Sequence, residues 1–436
     1  MRTIKKYSFS LTKASKAGLL QWAQQYDQVV WLDTNSYKQK HQSYHAILAV
    51  ESFTAIKTDF KDAFEKLKEY QTITVDWIFG YLSYDLKNDI QQLKSNNFDG
   101  LNFPDLYFFQ PKKLFLFTEE SVEIHYLNMV DDEMEDDWKA ISENISQTIN
   151  RNSSESLKIN ARTLKESYIE KVNKTLEHIK RGDIYEANIC QEFYSENTVI
   201  NPLETFINLN EISKPPFSVF LKLNELYALS ASPERYIKRS GNIVISQPIK
   251  GTAKRLVNKA EDLKMVQQLQ NDPKERSENI MITDLVRNDL SRIAKKGSVK
   301  VEELCAIYTF EQVHQMISTV SCEVDLETSS VDILKNTFPM GSMTGAPKIS
   351  AMKIIEDIED AKRGLYSGAI GYFSPSGDFD FNVVIRSILY NSNKKYVSFS
   401  VGSAITINSI PEKEYEECLL KAKAMRQVLN NTFKLV

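Results

Sequence analysis

Three long runs rich in β-branched and aromatic residues, Ser367 to Ser374, Phe379 to Tyr390 and Tyr396 to Ile407, are separated only by the turn-forming segments PSGD and NSNKK. A parallel connection needs a crossover of about a dozen residues, so runs joined this closely predict an antiparallel meander. Upstream, Arg235 to Arg239 and Asn242 to Ser246 flank Ser240-Gly241, the pattern of a β-hairpin. Helical stretches occur between such runs, but without the regular βαβ alternation of a doubly wound sheet, and the expected class is α+β. The glycine-rich turn Gly341-Ser-Met-Thr-Gly-Ala-Pro-Lys348 lacks the Gly-Lys-Ser/Thr ending of a P-loop. Nucleotide binding is therefore not indicated.

The chain has 436 residues, 42% apolar and 26% charged, a composition that suits a globular protein with a large core. Its 58 acidic and 54 basic residues leave a formal charge of -4. Nucleic acid demands a basic surface, so small molecules and proteins are the expected partners. No apolar run reaches about eighteen residues, and the basic start MRTIKKYSFS has no apolar segment behind it; neither a membrane span nor a signal peptide is expected, and the expected location is cytoplasmic. Cys190, Cys305, Cys322 and Cys418 are scattered without a CxxC pair, which predicts reduced core residues.

The sharpest compositional break lies between Asp131 and Ser156, where DDEMEDDW gives way to NRNSSES, and a boundary is placed near residue 155. Before it, Gln28 to Leu32, Tyr44 to Val50, Thr72 to Gly80 and Lys113 to Phe117 read as strands and Phe60 to Tyr70 as a helix. After it, Leu164, Ile169, Val172, Leu176 and Ile179 recur at helical spacing up to Gly182, a C-cap. A helix-rich segment runs from Asp262 to about Lys295, and a last helix runs from Pro411 to about Leu429.

Four local patterns could carry chemistry. Lys250 lies between the apolar strand Ile243 to Ile245 and Gly251-Thr252; an amine held in the interior there would have its pKa lowered by desolvation and become a nucleophile, the alternative being a solvated loop lysine. Glu414, Glu417 and Lys421 share one face of the final helix. With Glu278 from another helix they could bind Mg²⁺, or they could form a solvated face with a charge pair. The turn before Lys348 offers backbone N–H groups and the Ser342 and Thr344 hydroxyls to a carboxylate, or is a tight loop and nothing more. Arg386, expected on one strand face with Val384 and Ile388, needs an anionic partner: a ligand carboxylate or an internal salt bridge.

These patterns occur in order with GDIYEANICQEF (Gly182 to Phe193), SASPERY (Ser230 to Tyr236), PIKGT (Pro248 to Thr252), ENIMITDLVRNDL (Glu278 to Leu290), GAIGYFS (Gly368 to Ser374), VVIRS (Val383 to Ser387) and EKEYEECLLKA (Glu412 to Ala422). Together they resemble the chorismate-utilising enzymes, densely from about Leu164 to Leu429 and loosely before it. The resemblance implies two antiparallel sheets packed face to face with helices outside, the N-terminal region being interleaved with the catalytic part. It implies Glu234 as general acid and Glu278, Glu414 and Glu417 as holders of Mg²⁺ against the substrate's ring carboxylate. Gly251, Thr252, Ser342, Thr344, Tyr366, Arg386, Lys421 and the backbone around Gly402 would contact substrate.

The lysine of PIKGT is similar to that of the C4-aminating members, where C2-aminating members usually have alanine. The implied reaction is attack by Lys250 at C2 of chorismate, loss of the C4 hydroxyl, and addition of ammonia at C4. The family's active-site histidine position falls on Gln315, with His314 one residue earlier, and a usual run of glycines reads Val401-Gly402-Ser403-Ala404 here. No cysteine has the glycine-flanked setting of a glutaminase nucleophile, so ammonia is expected from a separate glutamine amidotransferase subunit. Anthranilate, isochorismate or salicylate synthesis stays open as an alternative, as does an inactive chorismate-binding regulator, motivated by Gln315 and Ala404.

Overall fold

The computed structural model describes residues 1–37, 40–144 and 157–430. Its frame is a long antiparallel ribbon, Ala46–Thr58 against Leu106–Phe117, which belongs to two sheet halves at once. On one side the ladder continues through Gln28–Asp33, Phe217–Leu223, Leu226–Ser232, Ser387–Asn391, Tyr396–Ile405 and Glu186–Ser195. On the other, Leu106–Phe117 also pairs with Ile78–Leu82, and from there the order is Ala369–Phe373, Phe379–Asn382, Arg235–Ser240, Ile243–Gln247 and Val313–Glu323. The last of these pairs with both Ile249–Lys254 and Lys300–Thr309.

Period-two alternation explains how the halves pack. Val30, Ile47, Leu221 and Leu389 of the first half share one apolar layer with Phe79, Ile237, Val244, Val320 and Phe381 of the second. Their neighbours Trp31, Leu48 and Phe220 point the opposite way, into a second layer with Leu19, Val172, Phe206, Cys418 and Met425 of the covering helices. Strands buried on both faces read as unbroken apolar runs, which is why VVWL shows no alternation in sequence. The four cysteines are buried and free. Among the described residues no helix is long and apolar enough to cross a membrane.

Three expectations need correction. Thr72 to Thr74 end the helix Ala63–Thr74 rather than begin a strand, and the left-handed Val75 stops that helix before Ile78–Leu82 starts. The expected meander is interrupted, because Phe379–Asn382 pairs in the second half and Ser387–Asn391 in the first. Residues 383–386 cross between them. Arg386, with φ of 54°, therefore sits in a backbone break and not on a strand face with Val384 and Ile388. The boundary near residue 155 lies outside the described residues; strands from either side of it pair directly, Gln28–Asp33 with Phe217–Leu223 and Ile78–Leu82 with Ala369–Phe373.

Candidate active site

The strand Ile249–Lys254 shifts register against its partner between Ile249 and Thr252, and Gly251 within the shift has φ of 94°. Such a bulge re-aims a side chain, and glycine tolerates the backbone angle. Lys250 is thereby turned inward, with Nζ 3.0 Å from Oε1 of Glu186. Burial pulls the amine's pKa down, but the Glu186 and Glu278 carboxylates, the Glu186 hydrogen bond and the Glu417 charge outweigh it and hold it above 10.5. The resting site thus contains an ammonium ion, not the neutral amine that desolvation alone predicts from sequence. Glu186 was not singled out in the sequence, where a glutamate opening a strand reads as exposed; it is 1% exposed, and its Oε2 has no hydrogen-bond partner.

Glu234 follows Pro233 at the end of Leu226–Ser232. Its buried carboxyl accepts a 2.7 Å hydrogen bond from the Ser342 hydroxyl. Burial pushes its pKa up to about 7 against the opposing pull of Ser342, Lys250 and the Ile249 backbone. Ser342 is delivered by the short turn Gly341–Met343. That turn is anchored by Lys348, another residue the sequence reading did not assign, whose Nζ donates to Asp289 at 2.6 Å and to the carbonyls of Pro339 and Thr337 at 2.9 and 3.1 Å. The Thr344 hydroxyl bonds to the Gly341 carbonyl at 3.1 Å. Both hydroxyls donate to protein acceptors in this structure.

A carboxylate cluster lies beyond Lys250. Asp272 caps the helix Pro273–Ser291 and so places Lys274, Glu275 and Glu278 in its first turns. Burial pushes Glu278 up to about 7 against Lys250 and Lys274, and its shielded Oε1 has no hydrogen-bond donor. Glu414 accepts from the Ser403 hydroxyl. Glu417 lies 2.6 Å from the Lys421 ammonium. Burial would raise the Glu417 carboxyl, but Lys421 wins and lowers it. Among the described residues no three His, Cys, Asp or Glu side chains converge as a ready-made metal cage. Mg²⁺ does not require one, since it binds through one or two carboxylates and keeps several waters. The oxygen-only donors and the orphaned Oε1 of Glu278 fit such an open site better than a closed one.

A cavity of about 210 Å³ is lined by Pro233, Thr252, Gln315, Arg386 and Lys421. The Arg386 guanidinium donates only a 3.3 Å bond to the Lys421 carbonyl, and no carboxylate of the described residues pairs with it. Burial holds its pKa below the usual arginine value. The internal salt bridge considered from sequence is therefore not what satisfies this arginine. Register separates the two histidine-position candidates: Gln315 stands opposite Thr252 and lines the cavity with an unpartnered Oε1, whereas His314 bonds to Asp262 and Thr309, each at 2.9 Å. Tyr366 is buried, 3.8 Å from the Cys190 sulfur. At Gly402 a Cβ would fall 2.7 Å from Cys190 Sγ and 2.8 Å from Asn188 Oδ1, while its carbonyl accepts from Lys421 at 2.8 Å.

Residues 22–427 match the family model described as chorismate binding enzyme. The chain is 34% identical over 357 residues to an anthranilate synthase component I-like protein of Synechocystis, covering 81% of this chain and 72% of that protein. It is 32% identical over 366 residues to aminodeoxychorismate synthase component 1 of Bacillus subtilis, covering 80% and 76% respectively. The crystal structure of anthranilate synthase component I from Streptococcus pneumoniae superposes with a TM-score of 0.76 at 25% identity, covering 90% of this chain and 95% of that one. Matched across nearly its whole length, and with a buried acid, a lysine paired to a buried carboxylate and an arginine that has no carboxylate partner among the described residues, the chain belongs to the chorismate-binding enzyme family.

Proposed function

We propose that this protein is the chorismate-aminating component of an aminodeoxychorismate synthase, making 4-amino-4-deoxychorismate from chorismate and ammonia. The observation that supports C4 amination is Lys250 itself, a buried amine 3.0 Å from a buried carboxylate, adjoining in sequence the Ile249 backbone that faces Glu234. An amine can act as a covalent nucleophile once its proton leaves. Glu186 is the nearest proton acceptor. The freed amine would attack C2, the ring double bonds would shift, and the C4–O bond would break.

Glu234, with its pKa raised to about 7 and so still partly protonated at neutral pH, would give its proton to the departing hydroxyl so that water leaves. Ammonia would then add at C4, the double bonds would shift back and the C2–N bond to Lys250 would break. The C4 ammonium would return a proton to Glu234, and Glu186 would return its proton to the lysine. Arg386, Lys421 and Gln315 would orient the carboxylates of the substrate in the cavity they line. Glu278 and Glu417, with Glu414 behind them, would hold Mg²⁺. The ion would supply positive charge to a substrate carboxylate. Ammonia at neutral pH is mostly ammonium, which cannot attack, so a partner glutaminase would deliver it unprotonated.

The test is incubation of the purified chain with chorismate, Mg²⁺ and an ammonium salt, with products identified by mass and ultraviolet spectrum. A product with the mass and spectrum of aminodeoxychorismate is expected. Anthranilate, isochorismate or salicylate as the main product would move the chain to another branch of the family. No conversion at all would favour a binding-only regulator.

A further inference from the structure

We infer that Lys274 is a removable counter-ion: its ammonium holds a place among Glu278, Glu414 and Glu417 that a divalent cation takes over when it binds. The inference rests on reading that cluster as a cation site. The site contains three lysines, and their settings differ. Lys250 lies 3.0 Å from Glu186 and Lys421 lies 2.6 Å from Glu417, with side chains 13% and 29% exposed. Both are fixed in hydrogen-bonded ion pairs.

Lys274 is half exposed, at 52%. Its Nζ stands 3.8 Å from Glu278 Oε1 and 4.0 Å from Glu414 Oε1. Neither distance is a hydrogen bond, which is why the shielded Glu278 oxygen remains without a donor. The ammonium therefore balances charge without satisfying the oxygens it faces. Its stem emerges at the first turn of the helix, so the head can swing into solvent without disturbing the fold.

A hard dication would satisfy those oxygens by direct coordination at about 2.0–2.1 Å and would bring one more positive charge. It would also repel the ammonium at close range. Lys274 and the metal ion are thus alternatives for one space, and the affinity for metal is set partly by the work of moving the lysine out. Until then the lysine limits repulsion among Glu275, Glu278, Glu414 and Glu417, whose charges it faces together.

Binding of Mn²⁺ and of Mg²⁺ to the substrate-free protein, followed by electron paramagnetic resonance of free Mn²⁺ and by calorimetry, tests this on wild type, Lys274→Met and Lys274→Arg. Removing the charge should tighten binding about five- to tenfold, the scale expected for a half-exposed cation facing several carboxylates. Lys274→Arg, which keeps the charge, should stay near wild type. Binding by Lys274→Met that is weaker than wild type, or within about twofold of it, would overturn the inference while leaving the metal site standing. No binding to wild type or to Lys274→Met would remove the cation site and this inference with it.

Discussion

Glu234→Gln should leave stability nearly unchanged at about pH 4 and raise it by about 3 kcal/mol at about pH 8.5. The carboxyl is 5% exposed, and burial lifts its pKa from 4.5 to about 7. Between those values the folded protein keeps a proton that the unfolded chain has released. The favourable contribution of this group is thus fully present below about 4.5 and is lost as pH rises through about 7. At about 1.4 kcal/mol for each pH unit, the displacement amounts to about 3 kcal/mol of cost once the folded carboxyl must ionise. Glutamine has nearly the same shape and cannot ionise, and the Ser342 hydroxyl can donate to its oxygen as it does to the acid. Urea unfolding followed by tryptophan fluorescence at a series of pH values and constant ionic strength would read the difference in midpoints at a common slope. The gap between variant and wild type should open between about pH 4 and about pH 7.5 and then stay constant. The same difference at both ends of the range would refute the displaced proton, and with it the claim that Glu234 is an acid at neutral pH.

Lys250→Ala should lower C4 amination on the order of 10³-fold or more and also lower the unfolding midpoint, because it removes the reacting amine and leaves the buried Glu186 carboxylate without its cation; product analysis by mass and urea unfolding check the two halves of that statement. Arg386→Lys should raise KM for chorismate by about 10- to 100-fold, with less effect on kcat, since it keeps the charge and loses the planar fork that can grip a carboxylate; steady-state kinetics would read the split. Gly402→Ala should cost about 1–3 kcal/mol, because its methyl group would press on Cys190 and Asn188 within a packed ladder, measured again by urea midpoints.

Sequence by itself determined most of the local elements and several of the residue types of the site. Antiparallel pairing followed from runs such as Arg235 to Ser246 with Ser240-Gly241 between them, because a two-residue connection leaves the chain no other way to pair. The helix ending at Gly182 was legible for a similarly local reason: glycine accepts the left-handed angle that terminates it. Glu234, Lys250 and Arg386 could be named as candidates from the segments that carry them.

What those residues are together was decided by tertiary structure, because protonation and pairing depend on neighbours far away in the chain. Lys250 is an ammonium through Glu186, Glu278 and Glu417, which arrive from a strand and two helices remote in sequence. Glu234 holds its proton up to about pH 7 because folding removes water from around it. The choice between His314 and Gln315 was likewise open in sequence, since adjacent strand residues point to opposite faces and only the observed register against Thr252 says which face lines the cavity. Arg386 shows the same division: its presence was readable, but its left-handed position in the crossing between sheet halves depended on which partners its flanking strands found. Strand pairing over long sequence separations is set by the packing of whole faces, and no local pattern encodes it.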